Sequence, residues 1–142
     1  MKRPIQQNLF NRRPTLNVAA NYNRACWQAA RECGLSRDQI ADEMNDLAGE
    51  YGVKLNNGNA KKLSKETLEK WLNPNDARQV PMKALPVFCA VVNSLAPLRA
   101  LATPLFAEVI GREDQTLLKW ARAYHRARAA RKEMRKLEGG IR

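Results

Sequence analysis

Leu35-Ser36-Arg37-Asp38-Gln39-Ile40-Ala41 and, further on, Leu63-Ser64-Lys65-Glu66-Thr67-Leu68-Glu69-Lys70-Trp71-Leu72 decide the fold of this chain. Ser36 is a good N-cap and Gln39, three residues on, completes a capping box, so a helix opens here. Ile40, Ala41, Met44, Leu47 and Ala48 recur at three-to-four spacing, which marks a buried stripe and carries the helix to Gly52. Ser64 caps a second, shorter helix that Asn73-Pro74-Asn75 stops, with Leu68, Trp71 and Leu72 facing inward. Between the two, residues 53–63 hold a turn cluster from Asn56 to Asn59 and read as a loop.

The same periodicity extends both ways from this pair. Upstream, Val18, Tyr22, Ala25, Cys26, Ala29, Ala30 and Cys33 predict an amphipathic helix from Asn17 that ends at Gly34. Downstream, Pro81 suits the first turn of a helix running through Asn93, with Leu85, Phe88, Cys89 and Val92 pointing inward. Pro86 is either tolerated there or shifts the start. A short helix over 97–106 follows, then a long one from Arg112 to about Gly139 striped by Leu117, Trp120, Tyr124, Ala127, Ala130, Met134 and Leu137. Apolar and polar residues never alternate for more than a few positions, so no strand is expected. The reading is all-α, in three parts: a basic arm over 1–16, a helical domain over 17–106 and a basic C-terminal helix over 107–142.

Three segments resemble the lambda repressor/Cro family of helix-turn-helix proteins: Ser36-Arg37-Asp38-Gln39-Ile40-Ala41, Ser64-Lys65-Glu66-Thr67-Leu68-Glu69-Lys70-Trp71 and Val80-Pro81-Met82-Lys83-Ala84-Leu85. The chain is also similar to small phage-encoded regulators. The resemblance implies a Cro/repressor-like bundle in which the 36–52 helix is the scaffold and the 64–72 helix offers its first residues to the major groove. Small Ala41 would let the two axes approach. This chain departs from the family in one respect. An extended scaffold helix and a long connector, Asn45 to Leu63, replace the family's short turn.

Charge points the same way. Lys and Arg total 25 against 14 Asp and Glu, a formal charge of +11 on 142 residues, and a field of that sign suits a polyanion. Ser64, Lys65, Thr67 and Lys70 are the candidates to face DNA, since hydroxyls and ammonium groups reach base edges and phosphates. The plainer alternative makes Ser64 only a cap and the lysines a solvated face. Arg37, Lys54, Lys61 and Lys62 suit phosphate contact and solvation equally. Arg12 and Arg13 in the arm, and Arg126 and Arg128 in the last helix, are further phosphate candidates. Trp71 reads as core. The last helix reads three ways: a dimer seam with basic flanks, a second nucleic-acid contact, or a packed helix with a solvated basic face. Ala127 and Ala130 would make an isolated coiled coil weak.

Other chemistry finds little footing. His125 is the sole histidine, which argues against His-based triads and zinc sites, and the seven glycines form no phosphate loop. Cys26, Cys33 and Cys89 contain no CxxC; Cys26 and Cys33 are about 10 Å apart along a helix, too far to bridge. They read as buried thiols of a reducing cytoplasm. No apolar run approaches a membrane span, and Met1-Lys2-Arg3-Pro4 has no apolar stretch behind it to form a secretory signal. The expectation is a cytoplasmic, non-enzymatic, sequence-specific DNA-binding transcriptional regulator without cofactor or metal, binding double-stranded DNA as a homodimer. The alternative is a nucleic-acid-associated adaptor that holds DNA nonspecifically and binds a protein partner through its helices.

Overall fold

A computed structural model describes residues 16–141. Within them the chain forms α1 (Ala19–Glu32), α2 (Arg37–Tyr51), α3 (Lys65–Leu72), α4 (Leu85–Val92), α5 (Ala96–Ala102), a 3-10 turn (Thr103–Leu105) and α6 (Arg112–Gly140). No strand occurs among the described residues. The arm, with Arg12 and Arg13, lies outside them apart from Leu16. The chain divides into two compact units, one ending at Val109 and one beginning at Ile110.

Local chemistry sets the helix ends. Gly34, at φ +79°, stops the chain after α1 in a conformation that favours glycine. The Ser36 hydroxyl accepts from the Gln39 N–H at 3.2 Å, while the Ser36 N–H donates to Gln39 Oε1 at 2.9 Å, closing the capping box on α2. Gly52, left-handed at φ +66°, turns the chain out of α2, and the Val53 N–H reaches back to the Ala48 carbonyl at 2.9 Å.

One boundary differs from the sequence expectation. The helix expected to open at Pro81 begins at Leu85. Pro86 has no N–H to give the Met82 carbonyl, and its ring would crowd that oxygen, so a helix cannot run from 81 through 86. Instead the Ala84 and Leu85 amides both donate to the Pro81 carbonyl, forming a turn, and Pro86 falls in the first turn of α4, where its missing donor costs nothing.

In the first unit α3 packs against both α1 and α2, α1 also packs on α5, and α2 on α4. Phe88, Ile40, Met44, Leu68, Leu72, Cys26 and Pro97 are fully buried at the centre. Each fully buried Leu, Ile or Phe contributes about 1.5–3 kcal/mol relative to exposure, so this cluster holds α2, α3 and α4 together. A buried hydrogen bond adds direction. The Tyr22 hydroxyl on α1 donates to the Val80 carbonyl at 2.7 Å, fixing the chain that leads into α4. The second unit is α6 with its lead-in from Ile110, and none of its helical residues is buried.

Candidate nucleic-acid interface

The connector between α2 and α3 is built into the domain. Leu55 and Leu63 are buried, and both groups of the Asn45 side-chain amide engage Leu63. Asn45 Nδ2 donates to the Leu63 carbonyl at 2.9 Å, and the Leu63 N–H donates to Asn45 Oδ1 at 2.8 Å. These bonds hold the end of the insertion, at Leu63, against the middle of α2, which the chain leaves at Gly52. Inside the loop, Asn56 Nδ2 donates to the Lys62 carbonyl at 2.6 Å, and Lys83 Nζ donates to the Asn56 carbonyl at 3.1 Å. Asn56 is buried, and the first bond gives its side-chain amide a partner while the second gives its backbone carbonyl one.

Leu63 hands the chain directly to α3. The Ser64 hydroxyl accepts from the Thr67 N–H at 3.2 Å and donates to Thr67 Oγ1 at 3.0 Å. Ser64 is thus committed as a cap. Thr67 accepts that proton and keeps its own hydroxyl hydrogen to donate outward. On the other flank, the 73–79 loop is turned by side-chain acceptors: the Asn75 N–H donates to Asn73 Oδ1 at 3.0 Å and the Arg78 N–H to Asp76 Oδ1 at 2.9 Å.

Between the two loops and α3 lies a cleft of about 510 Å³. Its walls are Asn56, Asn57, Gly58, Asn59, Ala60 and Lys62 from the connector, Ser64, Thr67 and Trp71 from α3, and Arg78, Gln79 and Pro81 beyond it. The lining carries two cations and no carboxylate. Glu66 and Glu69 are exposed on α3 but do not line the cleft. A phosphate chain is therefore favoured on this side of the helix, while the Asn, Gln and Thr groups offer paired donors and acceptors of the kind that read base edges.

The sequence candidates divide accordingly. Lys62, Ser64 and Thr67 meet in the cleft. Lys65 turns toward α2, its Nζ 3.4 Å from Asp38 Oδ2, and both side chains are exposed, so the pair is worth under about 1 kcal/mol and yields readily to a phosphate. Lys70 is exposed in the last turn of α3, and Lys54 and Lys61 are exposed in the connector, outside the cleft. Arg37 is half-buried at the first position of α2. Arg126 and Arg128 are exposed on α6, in the other unit. Trp71 is core, as expected, at 7% exposure, and it also lines the cleft. Sequence reasoning missed Asn57, Asn59, Arg78 and Gln79. The signal was present as two polar loops flanking one short helix, but spacing alone did not bring the loops together.

The thiols are guarded by burial. Desolvation pushes Cys26 up to about 12 and raises Cys89, and it raises the Tyr22 hydroxyl as well. All three cysteines are free; Cys26 and Cys89 are buried, while Cys33 is only half-buried. Among the described residues no group of His, Cys, Asp and Glu could hold a metal ion, and no helix is long and apolar enough to cross a membrane. Comparison of the chain with protein-family models, with curated proteins and with solved structures finds no match.

Proposed function

We propose that this chain is a sequence-specific DNA-binding regulator of the Cro/repressor-like helix-turn-helix kind, with α2 as the brace and α3 presenting its N-terminal half to the major groove. The observation that carries the reading is the cleft beside α3: neutral donor–acceptor side chains, two cations and no carboxylate around the first turn of one short helix. In the proposal Thr67, Asn57, Asn59 and Gln79 read base edges, while Lys62 and Arg78 hold phosphates. Lys65, Lys61, Lys54, Lys70 and Arg37 add charge around that contact. The insertion widens the recognition surface without separating the helices, because Asn45 closes its base.

Selection of bound sequences from a random DNA pool, read at two salt concentrations, tests the function. A regulator yields one enriched motif, bound at least about 10³-fold more tightly than random DNA at fixed salt. With that motif in hand, Thr67→Val lowers discrimination at a single position by about 1–3 kcal/mol, whereas Arg78→Ala weakens all sequences alike and reduces the salt slope by about one. Binding that is salt-sensitive but enriches no motif refutes the regulator and favours the nonspecific adaptor.

A further inference from the structure

We infer that α6 is an antiparallel self-association helix, pairing with α6 of a second copy of this chain about a two-fold axis between His125 and Arg126. The helix spans 29 residues, about 43 Å, and buries none of them within the chain. Yet Leu117 (63% exposed), Trp120 (63%), Tyr124 (50%) and Met134 (58%) lie at the three- and four-residue steps of a heptad seam, continued by Ala127 and Ile141. The Trp120 and Tyr124 rings stack at 5.6 Å, one turn apart on this face.

Size and charge select the second copy and its direction. In the antiparallel register Leu117 meets the partner's Met134, and Tyr124 fills the gap over the partner's Ala127. Small Ala123 faces the partner's Ala130, which lets the two axes approach closely. Of the two alanines that weaken a parallel coil, Ala127 is thus matched by a large side chain here, while Ala130 meets a small one. Arg131, the one cation in the seam, lies over the partner's Trp120, where the ring face stabilises it. The charges near the two ends are also complementary in this direction, although the helix as a whole carries nine cations against four carboxylates. Its first turn carries Glu113 and Asp114 beside Arg112, and Lys132, Arg135 and Lys136, interspersed with Glu133, precede a last turn that holds Glu138 and no basic residue. Antiparallel pairing brings Asp114 to the partner's Arg135 at both ends. One like-charge contact, Glu113 with the partner's Glu138, falls at seam positions at each end and works against the pairing there. A parallel, in-register pair would instead set Arg131 on Arg131 in the seam and every basic residue beside its own copy. The pairing does not depend on the DNA reading, since it needs neither the cleft nor a nucleic acid.

The test uses the full chain with Cys33→Ser, which keeps the hydrogen bond that the half-buried thiol gives the Ala30 carbonyl. Leu117→Cys and Met134→Cys are made singly and together, then oxidised mildly and run without reductant. The two positions are about 25 Å apart on one helix, too far to bridge within a chain. The antiparallel register predicts covalent dimer from the double variant and from a mixture of the two single variants, and none from either alone. A second arm needs no cysteine. By sedimentation equilibrium Asp114→Arg and Arg135→Asp each weaken the dimer about tenfold, because two attractive pairs become repulsive, and together they restore it. Dimer from each single cysteine variant, or charge swaps that fail to restore association, overturn the register. A chain that sediments as a monomer throughout the micromolar range overturns the pairing, including one whose α6 binds only nucleic acid or anionic vesicles.

Discussion

Replacing Asn45 by alanine should destabilise the first unit by about 2–4 kcal/mol. The figure follows from what the side chain holds. Its amide makes two hydrogen bonds, 2.9 and 2.8 Å, to the carbonyl and N–H of Leu63, and Leu63 is only 3% exposed. Each bond is worth about 0.5–1.5 kcal/mol net, and truncation also leaves two poorly hydrated backbone groups without partners, which adds to the cost. Urea unfolding followed by circular dichroism measures the loss, and amide exchange at Leu63 localises it. Asn45→Asp sharpens the test. The carboxylate still accepts from the Leu63 N–H but sets a negative oxygen against the Leu63 carbonyl, so at pH 7 this variant gains little over alanine. On protonation near pH 4 it regains a donor, and its small advantage over Asn45→Ala at the same pH should widen. An alanine variant within about 0.5 kcal/mol of the parent, with Leu63 exchange unchanged, would refute the idea that Asn45 closes the insertion.

Further tests probe the frame around the cleft. Tyr22→Phe removes the 2.7 Å bond to the Val80 carbonyl and should cost about 1–3 kcal/mol in the same unfolding assay, with faster exchange in α4. Asn23 is 7% exposed, and its Oδ1 has no hydrogen-bond partner, so Asn23→Leu should raise stability by about 1 kcal/mol; a loss would mean the amide is satisfied. Stability should fall with rising pH from about 9. Unfolded Cys26 ionises near its ordinary 9.0, whereas burial holds the folded thiol protonated to about 12, so the folded state keeps the extra proton and its contribution, full below pH 9, drains away by about 1.4 kcal/mol per pH unit. Cys26→Ala should flatten that slope, and an unchanged slope would contradict the burial argument. At neutral pH a thiol reagent should label Cys33 well before Cys26 or Cys89.

What was legible in the sequence was what neighbouring residues decide. Ser36 with Gln39, Gly52, Ser64 and the apolar stripes of α1 to α3 are local signals, and each helix they announce is present within a residue or two. The start of α4 was ambiguous because Pro81 and Pro86 both suit a first turn; the competition is settled by the carbonyl that Pro86 cannot serve. The cleft was less legible. Lys62, Ser64 and Thr67 could be picked out because they adjoin a cap, but Arg78 and Gln79 reach the same cleft from a loop beyond α3, and nothing in their own neighbourhood says so.

The connector shows most clearly where local reading stops. As sequence, Asn45 to Leu63 is an insertion that should loosen the two helices it separates, since a longer loop costs more entropy to close. That cost rises only slowly with length, by about 0.6 kcal/mol per doubling, and two hydrogen bonds at the base are enough to offset it. The residues that tie the loop down are Asn45, inside α2, and Leu63, at the loop's far end, 18 positions apart in the chain. An asparagine inside a helix carries no local mark of such a role, because its value depends entirely on which backbone comes to meet it. Once the base is closed, the intervening residues are released from holding α2 to α3 and can be spent on surface. That is where Asn57, Asn59 and Lys62 are found, on the wall of the cleft. The departure from the short-turn pattern is therefore compatible with a braced helix pair, and it supplies half of the surface on which the proposed reading of DNA depends.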